Sequence, residues 1–240
     1  MIKELITNQK KEHNWNKKEL LKLQLIWYLS LLLLSITEYY HLPNMPELES
    51  FFHFLAGISI KLLLIAYLIY TLLFKQNFSL KQIGLSSQNL FTGCKLGIKV
   101  SLPLLVMILL LIHLPQEHLN LNQKFQPLIT VSSLEDLINS FFYFLTLLLL
   151  TIVPALATEL FYRVVIYQFF KERLGVLLGG IVAAIYYAIT LLNFDPNLLL
   201  AHFLVGGISI YLYERSSSLI AAIIWQAIYQ ATIILYIFGF

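Results

Sequence analysis

The sequence predicts an all-α fold, a polytopic transmembrane helix bundle of about seven spans. Three observations carry that expectation. The chain of 240 residues is 59% hydrophobic, with a mean hydropathy of +0.77, more apolar surface than one soluble domain can bury. Its apolar residues collect in runs near or above the ~20 residues needed to cross a hydrocarbon core. The charged residues fall between those runs and change sign from one gap to the next.

In chain order the spans are read at about 23–40, 54–74, 97–114, 137–170, 174–193, 198–213 and 218–239. Residues 1–22 form a polar, basic leader, and 23–240 read as a single membrane domain. No small-residue cleavage pattern follows the first run, so no signal peptide is expected. Lys3, Lys10, Lys11, Lys17, Lys18 and Lys22 precede the first span, and Lys75, Lys81, Lys95 and Lys99 separate the second from the third. Lys171, Arg173 and Arg215 fall on that side too, whereas Glu38, Glu47, Glu49, Glu117, Glu135, Asp136 and Asp195 lie opposite, with Lys124. The positive-inside rule then places the N-terminus in the cytoplasm and the C-terminus outside. This sorting accounts for the net charge of +3 without nucleic-acid binding. The lone Cys94 permits no intrachain disulfide.

The fourth span is too long. Residues 137–170 would make a helix of about 50 Å against a core of about 30 Å. It must tilt or break, and Pro154 is the natural place for a kink. Splitting it there into two spans would flip the later topology and put Lys171 and Arg173 outside.

Three spans carry polar stripes. In the fourth, Thr151, Ala155, Thr158 and Tyr162 share one line, and Ala155, Glu159 and Arg163 the next. The fifth aligns Gly175, Gly179, Ala183, Tyr186 and Thr190, and the seventh Ser218, Ala222, Gln226 and Gln230. Small residues admit close helix approach, and the polar groups then bond across it, so these spans are expected to form the inner layer. With a turn at 171–173, Thr158 and Thr190 lie roughly 20–26 Å from it, and Gln226 and Gln230 roughly 16–22 Å from Arg215. The four side chains can meet at one level, as interhelical glue or as a site. Glu159 and Arg163 have the spacing of a helical ion pair. In a membrane such a pair is either a structural brace or part of a functional cavity. Lys61 interrupts the second span and faces a cavity or a neighbour's carbonyls.

These residues resemble the CPBP group, the CAAX-protease and bacteriocin-processing (Abi-type) intramembrane endopeptidases, over roughly 78–235. The family pattern is Glu-Glu-x-x-x-Arg, then aromatic-x-x-x-His, then His-x-x-x-Asn. "TELFYR" resembles the first motif, with Glu159 and Arg163 kept and Thr158 in place of the leading Glu. "YYAIT" resembles the second, with Tyr186 as the aromatic and Thr190 in place of His. "YLYERSSSLIAAIIWQAIYQ" resembles the last block, with Gln226 for His and Gln230 for Asn, and "FSLKQIGLSSQNLFTGCKLGI" a segment that precedes the core.

The resemblance implies endopeptidase ancestry, in which the leading Glu and the histidines activate water. Thr and Gln neither titrate near neutrality nor bind metals well, so base and zinc chemistry do not follow, and no metal or cofactor is expected. Tyr162 supports the set. His113, His118 and His202 read as interfacial, and no His-Glu-x-x-His, Gly-x-Ser-x-Gly or P-loop pattern occurs. The leading expectation is an endopeptidase relative that has lost hydrolysis and binds a membrane-tethered peptide or partner helix within the lipid bilayer. An active endopeptidase with Glu159 as a shifted base is the alternative. A small transporter or scaffold using Lys61, Glu159 and Arg163 is the third.

Overall fold

The computed structural model describes residues 17–39, 46–86, 90–113, 134–191 and 195–237. Among them the regular structure is all helical, with a turn-rich stretch at 76–86: α1 (Lys17–Tyr39), α2 (Pro46–Tyr70) with a π-helical end (Thr71–Lys75), α3 (Leu90–His113), α4 (Leu134–Glu159) with a π-helical continuation (Leu160–Tyr167), α5 (Gln168–Thr190), α6 (Pro196–Ser216) and α7 (Leu219–Ile237). Lys3, Lys10, Lys11, Glu117, His118 and Lys124, which entered the charge argument or the histidine survey, lie outside the described residues.

A polytopic helical bundle is what the composition predicts, and four described stretches are long and apolar enough to cross a membrane. They are Lys17–Thr37, Leu55–Lys75, Leu145–Thr190 and Pro196–Ser216, with Leu219–Thr232 apolar but shorter. The 46 residues of Leu145–Thr190 are not one rod. Gly175, at φ 80° and ψ 177°, interrupts the helix, and a Cβ on Gly179 would lie 2.8 Å from the Lys171 backbone. Only a chain folded back on itself brings those positions together. The reversal falls at Gly175 rather than at 171–173, because glycine enters positive φ without a Cβ clash.

Pro154 does not break α4. The helix runs through it to Glu159, and the winding loosens only beyond, in the eight-residue π segment. That segment is buried at every position.

Helix directions follow from pairwise contacts. Lys61 Nζ over Trp27 and Gly57 beside Leu34 make α1 and α2 antiparallel. Gly206 against Tyr187 does the same for α5 and α6, and Trp225 Nε1 donating to the Val205 carbonyl for α6 and α7. Gly93 abuts Ser218 and Ile220 while Gly97 abuts Ala221 and Ile224, so α3 and α7 run in parallel. Alternating directions therefore hold, and Lys17, Lys75, Lys95, Lys171 and Arg215 collect at one basic end. The core runs along the buried faces of α4, the π segment, α5 and α7, from Ala155 and Phe161 to Ala183, Ala222 and Trp225.

Candidate functional site

The π segment sets the site. A helix wound i to i+5 re-aims its side chains, a local cost often retained at functional positions. Here it begins one residue after Glu159 and carries Tyr162 and Arg163. Glu159 and Arg163 have no exposed surface. Arg163 Nε donates to Glu159 Oε2 at 2.9 Å and Nη2 to Oε1 at 3.4 Å, a two-pronged pair. The carboxylate is thereby occupied on both oxygens. The guanidinium also lies over the Tyr187 ring, 5.5 Å from its centroid.

From that pair the polar contacts spread over three helices. Tyr187 on α5 accepts from Gln226 Nε2 of α7 at 3.0 Å. Tyr162 on the π segment bonds Thr190 of α5, hydroxyl to hydroxyl at 2.8 Å, while Thr190 also donates to the Tyr187 carbonyl at 3.0 Å. The two tyrosines meet edge to face at 4.9 Å. Of the residues expected to meet at one level, Thr190 and Gln226 thus join the Glu159–Arg163 pair, each through a tyrosine. Thr158 is buried but joins neither hydroxyl nor ion pair, and Gln230 is half-buried and outside the node.

Three neighbours were not legible as site residues. Tyr187, not Tyr186, is the aromatic at the centre; the line Ala183, Tyr187, Thr190 was the available signal, but a Tyr-Tyr pair leaves the choice of face open. Tyr186 instead reaches α1, accepting from Gln24 at 3.2 Å and pairing with Tyr28 at 3.1 Å. Ser209 of α6 is buried and lies beside the Glu159 carboxylate, short of hydrogen-bonding geometry. His202 is the third. It is half-buried, its ring set edge to face against Tyr187 at 6.4 Å, with a buried Nδ1 that makes no hydrogen bond among the described residues.

The α1 helix caps the node. Trp27 stacks on Phe161 at 4.4 Å and meets Tyr162 edge-on at 5.3 Å. Lys61 Nζ lies over the same indole, 5.1 Å from its centroid. Among the described residues no three His, Cys, Asp or Glu side chains converge as metal ligands would. The node's chemistry is that of hydroxyls, an amide and one paired carboxylate. Besides His202 Nδ1, buried atoms here that retain bonding capacity among the described residues include Arg163 Nη1 as donor, Gln226 Oε1 as acceptor and Ser209 Oγ as either.

Comparison with known families finds a match to part of the chain. Residues 140–232 match the Rce1-like family, type II CAAX prenyl endopeptidase. The Rce1-like segment begins in α4 and ends in α7, so it holds every member of the node apart from its α1 cap. It contains all the motif positions at which the CPBP resemblance was drawn. Residues 140–232 thus carry an Rce1-like, CAAX/CPBP-type domain, set in an integral, multi-pass membrane protein. No curated protein and no solved structure matches it.

Proposed function

We propose that this protein keeps the endopeptidase scaffold, has lost peptide hydrolysis, and holds a membrane-tethered peptide or a partner helix. One observation carries the reading. At the motif positions that would activate water stand Thr158, Thr190, Gln226 and Gln230, and the remaining carboxylate, Glu159, is bound on both oxygens by Arg163. A carboxylate fixed in that way is a poor general base, because attacking water must compete with a guanidinium for the same lone pairs. The leftover donor on Arg163 and acceptor on Gln226 suit the C=O and N–H of a peptide backbone. Access lies at the Gln24, Tyr28 and Tyr186 rim, since Tyr28 is exposed and Tyr186 half-buried.

The test is cleavage of a prenylated CAAX peptide by purified wild-type protein. No inhibitor-sensitive product is expected above a vector-only membrane extract. Authentic cleavage overturns the proposal. His202 supports a second reading, an active enzyme with a displaced base, because its ring lies against Tyr187 with an unbonded, buried Nδ1. If the wild type does cleave, His202→Gln separates the two bases: loss of turnover in a folded protein assigns the imidazole, and retained turnover leaves Glu159.

A further inference from the structure

We infer that the basic end of the bundle carries an anion site for a phosphodiester headgroup, in a cleft apart from the node. The cleft, about 180 Å³, lies between the α2–α3 connection and the ends of the π segment, α5 and α6. Its volume is several times the ~30 Å³ share of one water in the liquid. Lys81, Gln82, Gln168, Lys171, Tyr213 and Glu214 form most of its wall.

The wall is built, not incidental. The Ser79-Leu-Lys-Gln82 run closes a reciprocal cap, with Ser79 N donating to Gln82 Oε1 at 2.7 Å and Gln82 N to Ser79 Oγ at 3.3 Å. Gly84 follows at φ 79°, and its carbonyl accepts from Leu219 N at 2.9 Å. A Cβ there would come within 2.6 Å of Leu219 N. The turn is thus pinned to the α6–α7 junction, which fixes Lys81 and Gln82 at the cleft. On the facing side Gln168 Nε2 donates to the Tyr213 hydroxyl at 3.2 Å.

The donors outnumber the acceptors. Lys81 is exposed and makes no hydrogen bond or ion pair among the described residues. The Gln82 Oε1 is taken by Ser79, which leaves its amide hydrogens for another acceptor. Lys171 is paired to Glu214 at 2.5 Å through one oxygen, and its ammonium has further hydrogens to give. Two lysines against one glutamate leave the wall net positive. An ammonium pair with amide donors suits the two non-bridging oxygens of a phosphodiester. The place suits it too: these residues flank span ends, at the depth of lipid headgroups, on the end where the described lysines collect.

The experiment uses the full chain purified in a neutral detergent, followed by thermal unfolding. Phosphatidylglycerol is expected to raise the midpoint where phosphatidylcholine does not. Lys81→Gln, which breaks no hydrogen bond or ion pair among the described residues, should weaken the phosphatidylglycerol titration about tenfold, the scale of one charge-assisted hydrogen bond. Lys95→Gln, an exposed lysine at the same end outside the cleft, should leave it unchanged. A third arm adds soluble glycerophosphoglycerol, the same phosphodiester without acyl chains. If it stabilises equally and Lys81→Gln again weakens it, the anion site stands and its ligand is a water-soluble ester. Equal shifts from both lipids, or equal weakening by both lysine variants, overturn the inference.

Discussion

At the scale of single residues, the Glu159–Arg163 pair is where substitutions separate a brace from a reactive centre. Arg163→Ala strands a carboxylate with no exposed surface. Such half-removals cost about 3–5 kcal/mol in soluble cores. Changing both partners, Glu159→Gln with Arg163→Met, removes the charges together and should cost far less. Unfolding in mixed detergent reads this as a double-mutant cycle with strong coupling; additive losses would show that the pair is not a unit. A milder coupling is expected between Tyr187 and Gln226, joined at 3.0 Å. Tyr187→Phe and Gln226→Leu should each destabilise by roughly 1 kcal/mol, with a coupling near 0.6 kcal/mol, the usual worth of an interhelical bond in a membrane. Tyr187→Phe also deprives Gln226 of its one recorded partner, and the Gln226 Oε1 is already unpaired. A coupling of zero would remove Tyr187 from the centre of the node.

At the scale of elements, glycines mark where helices turn or touch, and their costs differ by mechanism. Gly175 has positive φ but nothing within 4 Å of an added Cβ. Gly175→Ala therefore bears only backbone strain, about 1–3 kcal/mol. Gly179→Ala meets the Lys171 main chain at 2.8 Å, where no side chain can swing aside. It should be the more damaging of the two, by thermal midpoint in detergent, and the reverse order would mean that the hairpin closes differently. These elements also show what a sequence discloses. Periodicity located the stripes of α4, α5 and α7 because small and polar residues recur at helical spacing. It could not locate the π segment, since adding one residue per turn changes winding without changing composition. For that reason Thr190 and Gln226 were placed at the right level, yet their link through Tyr162 and Tyr187 was not foreseen. Pro154 does not end α4, since a membrane helix flanked by neighbours tolerates the missing N–H. The place of His202 beside Tyr187 was not legible, because it depends on how α6 packs on α5 and spacing along one helix does not give that.

At the scale of the whole molecule, the alternating helix directions convert a charge pattern into a statement about sides. The contacts of Gly93 and Gly97 with α7, and of Lys171 with Glu214, bring the ends of α3, α5 and α6 that bear lysine or arginine to one end of the bundle. Cationic loops resist export across the membrane, so this end is expected to face the cytoplasm, with Leu191 and the α5–α6 connection outside. The expectation is decided by labelling intact cells. In a Cys94→Ser background, a membrane-impermeant maleimide should modify Leu191→Cys directly, and Arg215→Cys only after permeabilisation; both parent side chains are exposed. The reversed pattern would place Lys81 and Lys171 at the outer leaflet and invert the topology drawn from the lysines. The expected pattern instead sets the node's motif positions at a known depth from the cytoplasm. By the rise of a helix, Thr190 lies about 15 residues, or some 22 Å, beyond the Gly175 turn. A tethered peptide bound there must reach well into the bilayer from the basic side, or enter nearer the far one.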